Sequence, residues 1–217
     1  MVRCFHAVVL VCSIATFATL AISTGSTNWK EDLDIYKNMH KYIGLWRACI
    51  NVKGDSVSEL PPYQECDRDF LRPRLQEPPG WFNAVRVLML MSCIGSGFGI
   101  FLVVTAIVTD KAKKTGSRMW ICGLLVLLSG VLAIAALAIF SQHFEWSVEY
   151  AHTAGRYYAT HWHKQPDHSM VDGVFFKIEI WLRWSFAVGW AGAAMSVFTF
   201  ITAVLSDLTR GVTILKY

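Results

Sequence analysis

The sequence predicts an all-α membrane protein: a four-transmembrane helix bundle with a small extracellular β-sheet built from its polar connections. Three observations predict it. Hydrophobic residues make up 54% of the 217 and charged residues only 17%, a balance too apolar for a soluble domain. The apolar residues gather into four runs, each of the roughly 20 residues that a helix rising about 1.5 Å per residue needs to cross the hydrocarbon. The long polar connection after the first run holds a segment of β-formers ending near one cysteine, with a second cysteine following. The formal net charge of +4 comes without a basic block interleaved with aromatics, so no nucleic-acid partner is expected.

The first run, 4–25, reads "CFHAVVLVCSIATFATLAISTG". The preceding "MVR" and the "AIS" near its end also fit a signal peptide. The run is long for that role, and a retained helix is the expectation; cleavage would leave three helices and the same side for the C-terminus. The second run, 84–109, carries Arg86 at its edge, and the third and fourth cover 119–140 and 184–206. Their interiors are otherwise nearly free of charge, which argues against a transport path through the helices.

The connection 110–118, "DKAKKTGSR", is short and rich in Lys111, Lys113, Lys114 and Arg118. The positive-inside rule places it in the cytoplasm. Both termini then face the cytoplasm too, including the tail 207–217, and Arg3, Arg210 and Lys216 agree. The connections 26–83 and 141–183 face outward. The first carries many basic residues, but acidic ones match them, and the rule is weakest for long loops. The whole chain is expected to form one domain in the plasma membrane, with lipid around it.

The six cysteines fit this orientation. Cys4, Cys12, Cys93 and Cys122 lie in apolar runs, where core packing is expected, with Cys4 also a weak candidate for acylation near the inner face. Cys49 and Cys66 share the first outer connection, and two cysteines in an oxidising compartment are expected to pair. Such a bridge would stabilise the loop by about 3 kcal/mol on a chain-entropy estimate.

From Tyr42 to Val52 the residues suit a strand, with Trp46, Ala48, Ile50 and Val52 on one face and Leu45, Arg47, Cys49 and Asn51 on the other. "KGDS" (53–56) reads as a turn. Pro61-Pro62 makes the return to Cys66 irregular or an edge strand. In the second outer connection, "FFKIEIWLR" alternates and suits a strand joining the same sheet. Trp29, Trp81, Trp146 and Trp181 suit the headgroup interface.

Trp29, Gly44-Leu45-Trp46, Cys49 and Cys66, in this order, resemble the W…GLW…C…C pattern of the claudin superfamily. That group spans claudins, peripheral myelin and epithelial membrane proteins, and the stargazin-like and calcium-channel gamma subunits. "NAVRVLM" (83–89), with Arg86, resembles the start of the family's second helix, and "GLLVLLSGVLAI" (123–134) its third. "RWSFAVGWAG" (183–192), with Trp184, Ser185, Phe186, Gly189 and Trp190, resembles the opening of its fourth. The resemblance covers the whole chain. It implies a left-handed four-helix bundle with a small extracellular antiparallel sheet, a Cys49–Cys66 bridge between adjacent strands, and no enzymatic activity. The interval between the cysteines and the second outer connection are longer than in most claudins.

Other signals are weaker. His161-Trp162-His163, near His152 and His168, alternates as metal-binding histidines on a strand do, but only Asp167 is a near carboxylate in sequence; loop packing is the expectation. Gly95 and Gly99 form a G-x-x-x-G pair, and Gly189 and Ala193 share the spacing, which suits close helix packing either within the bundle or against a partner. Arg86 is expected to pair with a loop carboxylate or to cap loop carbonyls. No catalytic arrangement and no N-glycosylation acceptor stands in the outer connections. No cofactor and no metal are expected.

Two functions fit the resemblance. One is an auxiliary subunit packing sideways against an ion channel or receptor subunit in the same membrane. The other is a cell–cell junction protein that contacts claudin-like proteins in cis and trans. In the second, Asp55, Glu59, Asp67, Arg68 and Asp69 would face a paracellular path.

Overall fold

A computed structural model describes residues 2–34, 39–52, 63–67, 79–113, 119–153, 156–164, 169–171, 174–176 and 178–214. The turn predicted at 53–56, together with Asp167 and His168, lies outside these residues. The chain divides into two compact units: a helical unit of Met1–Thr24, Arg86–Leu137 and Val188–Tyr217, and a sheet unit of Gly25–Val85 and Ala138–Ala187.

Four long helices form from the four apolar runs: α1 Val2–Gly25, α2 Gly80–Lys113, α3 Met119–Gln142 and α4 Trp184–Ile214. None contains proline. In hydrocarbon a backbone must satisfy its own hydrogen bonds, which uninterrupted helices do. Spans long and apolar enough to cross a membrane cover Cys4–Gly25, Gly80–Thr109, Met119–Gln142 and Trp184–Thr209.

The helices outrun the predicted boundaries. α2 starts at Gly80 rather than 84, with the Pro79 carbonyl accepting from the Phe82 and Asn83 amides at 2.9 and 3.3 Å. It ends at Lys113, and α4 runs on to Ile214 through most of the predicted tail. The end of an apolar run marks where lipid ends; it is no helix stop, and lysine is a good helix former. The α4 extension has a task. Asp207 accepts a hydrogen bond from the Trp120 amide at 2.9 Å, so one helix caps the first turn of another, where the macrodipole favours an anion. Asp207→Ala is expected to cost about 1 kcal/mol, read as a lowered Tm of the purified protein; an unchanged Tm would show that the cap contributes nothing.

Inside the helical unit, several buried hydroxyls are satisfied along their own helices. Ser13, Thr16 and Thr24 donate to the carbonyls of Val9, Cys12 and Leu20 at 2.8, 2.9 and 2.7 Å. Ser92 donates instead across the unit, to the Ser129 carbonyl at 2.7 Å. Val9, Val103, Met119, Cys122 and Ala203 form an apolar core, while Ile94, Phe98, Phe101 and Val108 are exposed, as a lipid-facing surface requires. The small-residue faces turn inward. A Cβ on Gly95 would stand 3.2 Å from Ser129 Cβ, one on Gly99 2.6 Å from Val126 Cγ2, and one on Gly189 2.9 Å from Ser23 Oγ. Ala193 is buried as well. Gly95, Gly99 and Gly189 thus lie against neighbouring helices of the unit.

The sheet unit holds β1 Lys30–Asp34, β2 Met39–Ile43, β3 Ala48–Val52, β4 Tyr63–Asp67 and β9 Ile178–Leu182, in one antiparallel sheet of order β4-β3-β2-β1-β9. β4 takes the edge position that the prolines before it predict. β9 is the predicted joining strand, placed against β1. Two hairpins follow the same rules separately: β5 Trp146–Thr153 with β6 Arg156–Lys164, and β7 Ser169–Val171 with β8 Val174–Phe176.

Candidate functional site

Trp29, Gly44-Leu45-Trp46, Cys49, Cys66 and Trp184-Ser185-Phe186 lie in the sheet unit, while Arg86, Gly189 and Trp190 belong to the helical unit. After α1 ends at Gly25, residues 26–29 are tied on two sides. The Trp29 amide donates to the Ile43 carbonyl at 3.2 Å, while the Arg183 amide donates to the Trp29 carbonyl at 3.0 Å and the Ser185 amide to the Asn28 carbonyl at 3.3 Å. Ser185 Oγ also donates to Ser26 Oγ at 2.7 Å. The "GLW" segment and the "RWS" segment are therefore joined through the link that carries Trp29.

Gly44 to Arg47 do not continue a strand as the alternation predicted. They form the turn between β2 and β3, closed by the Gly44 amide donating to the Arg47 carbonyl at 2.9 Å. The β-forming residues do form strands on both sides, but Gly44 sets the break. A Cβ there would stand 2.5 Å from both Ser26 O and Thr27 Cα. Only glycine lets the turn lie against that backbone. Gly44→Ala is expected to cost about 1–3 kcal/mol by overpacking, seen as a lower Tm and less protein at the cell surface. Wild-type behaviour would mean that the 26–27 backbone yields freely.

Trp29 is fully buried. Its ring meets Phe140 edge-on at 4.9 Å and Phe186 at 6.1 Å, and Leu45 is fully buried as well. The headgroup position expected for Trp29 is thus replaced by a core position, because Phe140 of α3 and Phe186 of α4 pack against its ring. Trp81 stacks on His143 at 4.8 Å. The side chains of Trp146 and Trp181 lie outside the described residues. Trp46 is half-buried, Trp184 and Trp190 are exposed, and Arg86 on α2 is 7% exposed.

The register sets Cys49 opposite Cys66 on β3 and β4. Among the described residues the free thiols are Cys4, Cys12, Cys93 and Cys122.

Sequence reasoning missed a charged layer on the central strands. Glu31 on β1 meets His40 Nδ1 of β2 at 2.8 Å and pairs with Arg183 beyond β9. Arg183 lies over the Tyr42 ring at 5.6 Å, and His40 stacks on the same tyrosine at 6.3 Å. On the alternate positions of β1, Lys30 and Asp32 form a buried pair at 3.0 Å. Burial lowers the Lys30 ammonium from its ordinary value, with Asp32 opposing. Nothing in "KEDLD" alone announces a buried strand; only its two neighbours do.

Burial first, then the Glu31 carboxylate, raise the Tyr42 phenol above 10.0, with Arg183 pulling it down. The folded state holds that proton more tightly than the unfolded chain. The resulting stabilisation is fully present below 10.0 and lost as pH rises through the raised value. Tyr42→Phe is therefore expected to lose less Tm than the wild type on going from about pH 9 to about pH 11. Lys30, common to both proteins, cancels in that difference. Parallel Tm curves would contradict this.

Among residues whose side chains are described, no group of three His, Cys, Asp or Glu is placed to hold a metal. What the unit offers is an internally paired platform. A model of the PMP-22/EMP/MP20/Claudin family matches residues 4–163, which takes in the tryptophan, the Gly-Leu-Trp turn and both cysteines.

Proposed function

The chain belongs to the PMP-22/EMP/MP20/Claudin family, and we propose that it acts as an auxiliary subunit of an ion channel or receptor in the same membrane. It is a non-enzymatic, multi-pass membrane protein of that family, and its work is protein–protein contact. The observation that carries the narrower reading is the second long connection. Besides β9 it contributes a separate hairpin of 8- and 9-residue strands, more surface than completing the sheet requires. A partner's domain on that side of the plasma membrane is a fitting target for it.

In this reading both termini are cytoplasmic and the sheet unit is extracellular. The signature residues fix the platform: Cys49 bridges Cys66, Trp29 fills the core, and Arg86 pairs near the start of α2. Partner choice falls to the hairpins and to 51–65. Tagged protein in native tissue tests this. Co-purification with a channel or receptor in fixed stoichiometry, away from cell contacts, is expected. Enrichment in strands at cell–cell contacts would overturn it in favour of a junctional role, which the charged first connection would then serve.

A further inference from the structure

We propose that the Trp81–His143 stack is an acid-responsive joint: when the imidazole takes up a second proton, its charge settles on the Trp81 face and draws the start of α2 to the end of α3. His143 follows Gln142, the last residue of α3, and Trp81 is the second residue of α2. The two rings lie 4.8 Å apart and within 14° of parallel. The indole is held in turn by Phe82 at 5.5 Å and Phe140 at 6.3 Å, and Phe140 also meets the buried Trp29. The imidazole is therefore the half-buried end of an aromatic chain that runs into the core of the sheet unit.

The hydrogen bonding decides where the proton goes. Nδ1 of His143 lies 3.0 Å from the Ile139 carbonyl oxygen. A carbonyl only accepts, so the neutral ring carries its hydrogen on Nδ1, and Nε2 is the nitrogen that takes the second proton. Two features then meet the new charge. A cation within about 6 Å of a tryptophan centroid is attracted by the ring face, and the carbonyl end of a helix favours a positive group. Residues 79–85 at the start of α2 and 136–142 at the end of α3 carry no ionisable side chain. The nearest along the chain are Arg86, just past that stretch of α2, and Glu145, two residues beyond His143, which interacts electrostatically with Lys30. Glu77, ahead of Pro79, lies outside the described residues. His40 differs, because the Glu31 carboxylate already holds its Nδ1 at 2.8 Å, and it serves as the control.

Full-length protein in nanodiscs, labelled with fluorotryptophan, is followed by fluorine NMR from about pH 8 to about pH 5, the range in which an imidazole changes charge. The Trp81 signal is assigned by its loss in Trp81→Phe, and it should move along a one-proton curve. In His143→Gln, whose amide can replace the bond to the Ile139 carbonyl, it should stay fixed; in His40→Gln it should still move. In the unsubstituted protein, amide exchange over 79–85 and 139–143, corrected for the intrinsic effect of pH, should slow about 2- to 30-fold on acidification, the range that a cation on an aromatic face contributes. Both readings sample the two faces of the nanodisc alike and so do not depend on the orientation proposed above. A Trp81 signal that stays fixed with His143 in place, one that moves equally in His143→Gln, one stilled by His40→Gln, or exchange that does not slow would overturn the proposal.

Discussion

Trp29→Ala should destabilise the sheet unit by about 3–5 kcal/mol, the range for emptying a fully buried large aromatic site. The ring is enclosed by Phe140 and Phe186, and edge-to-face contacts add about 0.5–1.5 kcal/mol beyond area. The backbone bonds that pass through residue 29, from its amide to Ile43 and from Arg183 to its carbonyl, survive the change. The loss therefore isolates the side chain. In cells the variant should be retained before reaching the surface; in detergent its Tm should fall far below that of Trp29→Phe, which keeps a ring in place. A change within about 0.5 kcal/mol, the range of surface substitutions, would show that Trp29 is no core residue.

Gly130→Val should be the most damaging single change in the helical unit. A Cβ at 130 would overlap Ser196 Oγ on α4 and stand 2.7 Å from Ser196 Cβ. The hydroxyl has no free retreat, because it donates to the Ala193 carbonyl at 2.6 Å. In lipid, close backbone approach is itself what holds helices together, so a wedge between α3 and α4 removes attraction as well as adding overlap. The expected cost is at or above about 3 kcal/mol, the upper end for overpacking. Adding Ser196→Ala should restore part of the loss by removing the oxygen but not the Cβ. Gly97→Ala, whose Cβ would meet Phe17 Cε2 and Cδ2 at 3.4 and 3.7 Å, should stay near wild type. Equal effects at 130 and 97 would contradict the packing described for α3 and α4.

Much of this was legible from residues because hydrocarbon imposes a coarse rule. Long apolar runs without proline must be helices, and all four were found. Their ends were not, since α2 continues on good helix formers past the end of its apolar run, and a tertiary contact such as Asp207 of α4 to Trp120 leaves no local mark. In the sheet, β3 and β9 were visible by alternation. β1, "KEDLD", was not, because its charges are buried by cross-strand partners rather than by its own pattern. The Gly-Leu-Trp motif was recognised, but its shape was misread: β-propensity runs through Gly44, and only the approach of residues 26–27 reveals the turn. The Gly95, Gly99, Gly189 and Ala193 spacing signalled close packing without naming the neighbour.

The proposed function requires the signature segment to fold as a stapled sheet on the oxidising side of the membrane. Thiol mapping of protein purified without reductant tests it most directly. Proteolysis and mass spectrometry should recover a peptide pair joining Cys49 to Cys66, with Cys4, Cys12, Cys93 and Cys122 alkylated only as separate free thiols. Alkylated, unbridged Cys49 and Cys66, or either one joined to another cysteine, would contradict both the proposed staple and the sidedness on which the functional reading depends.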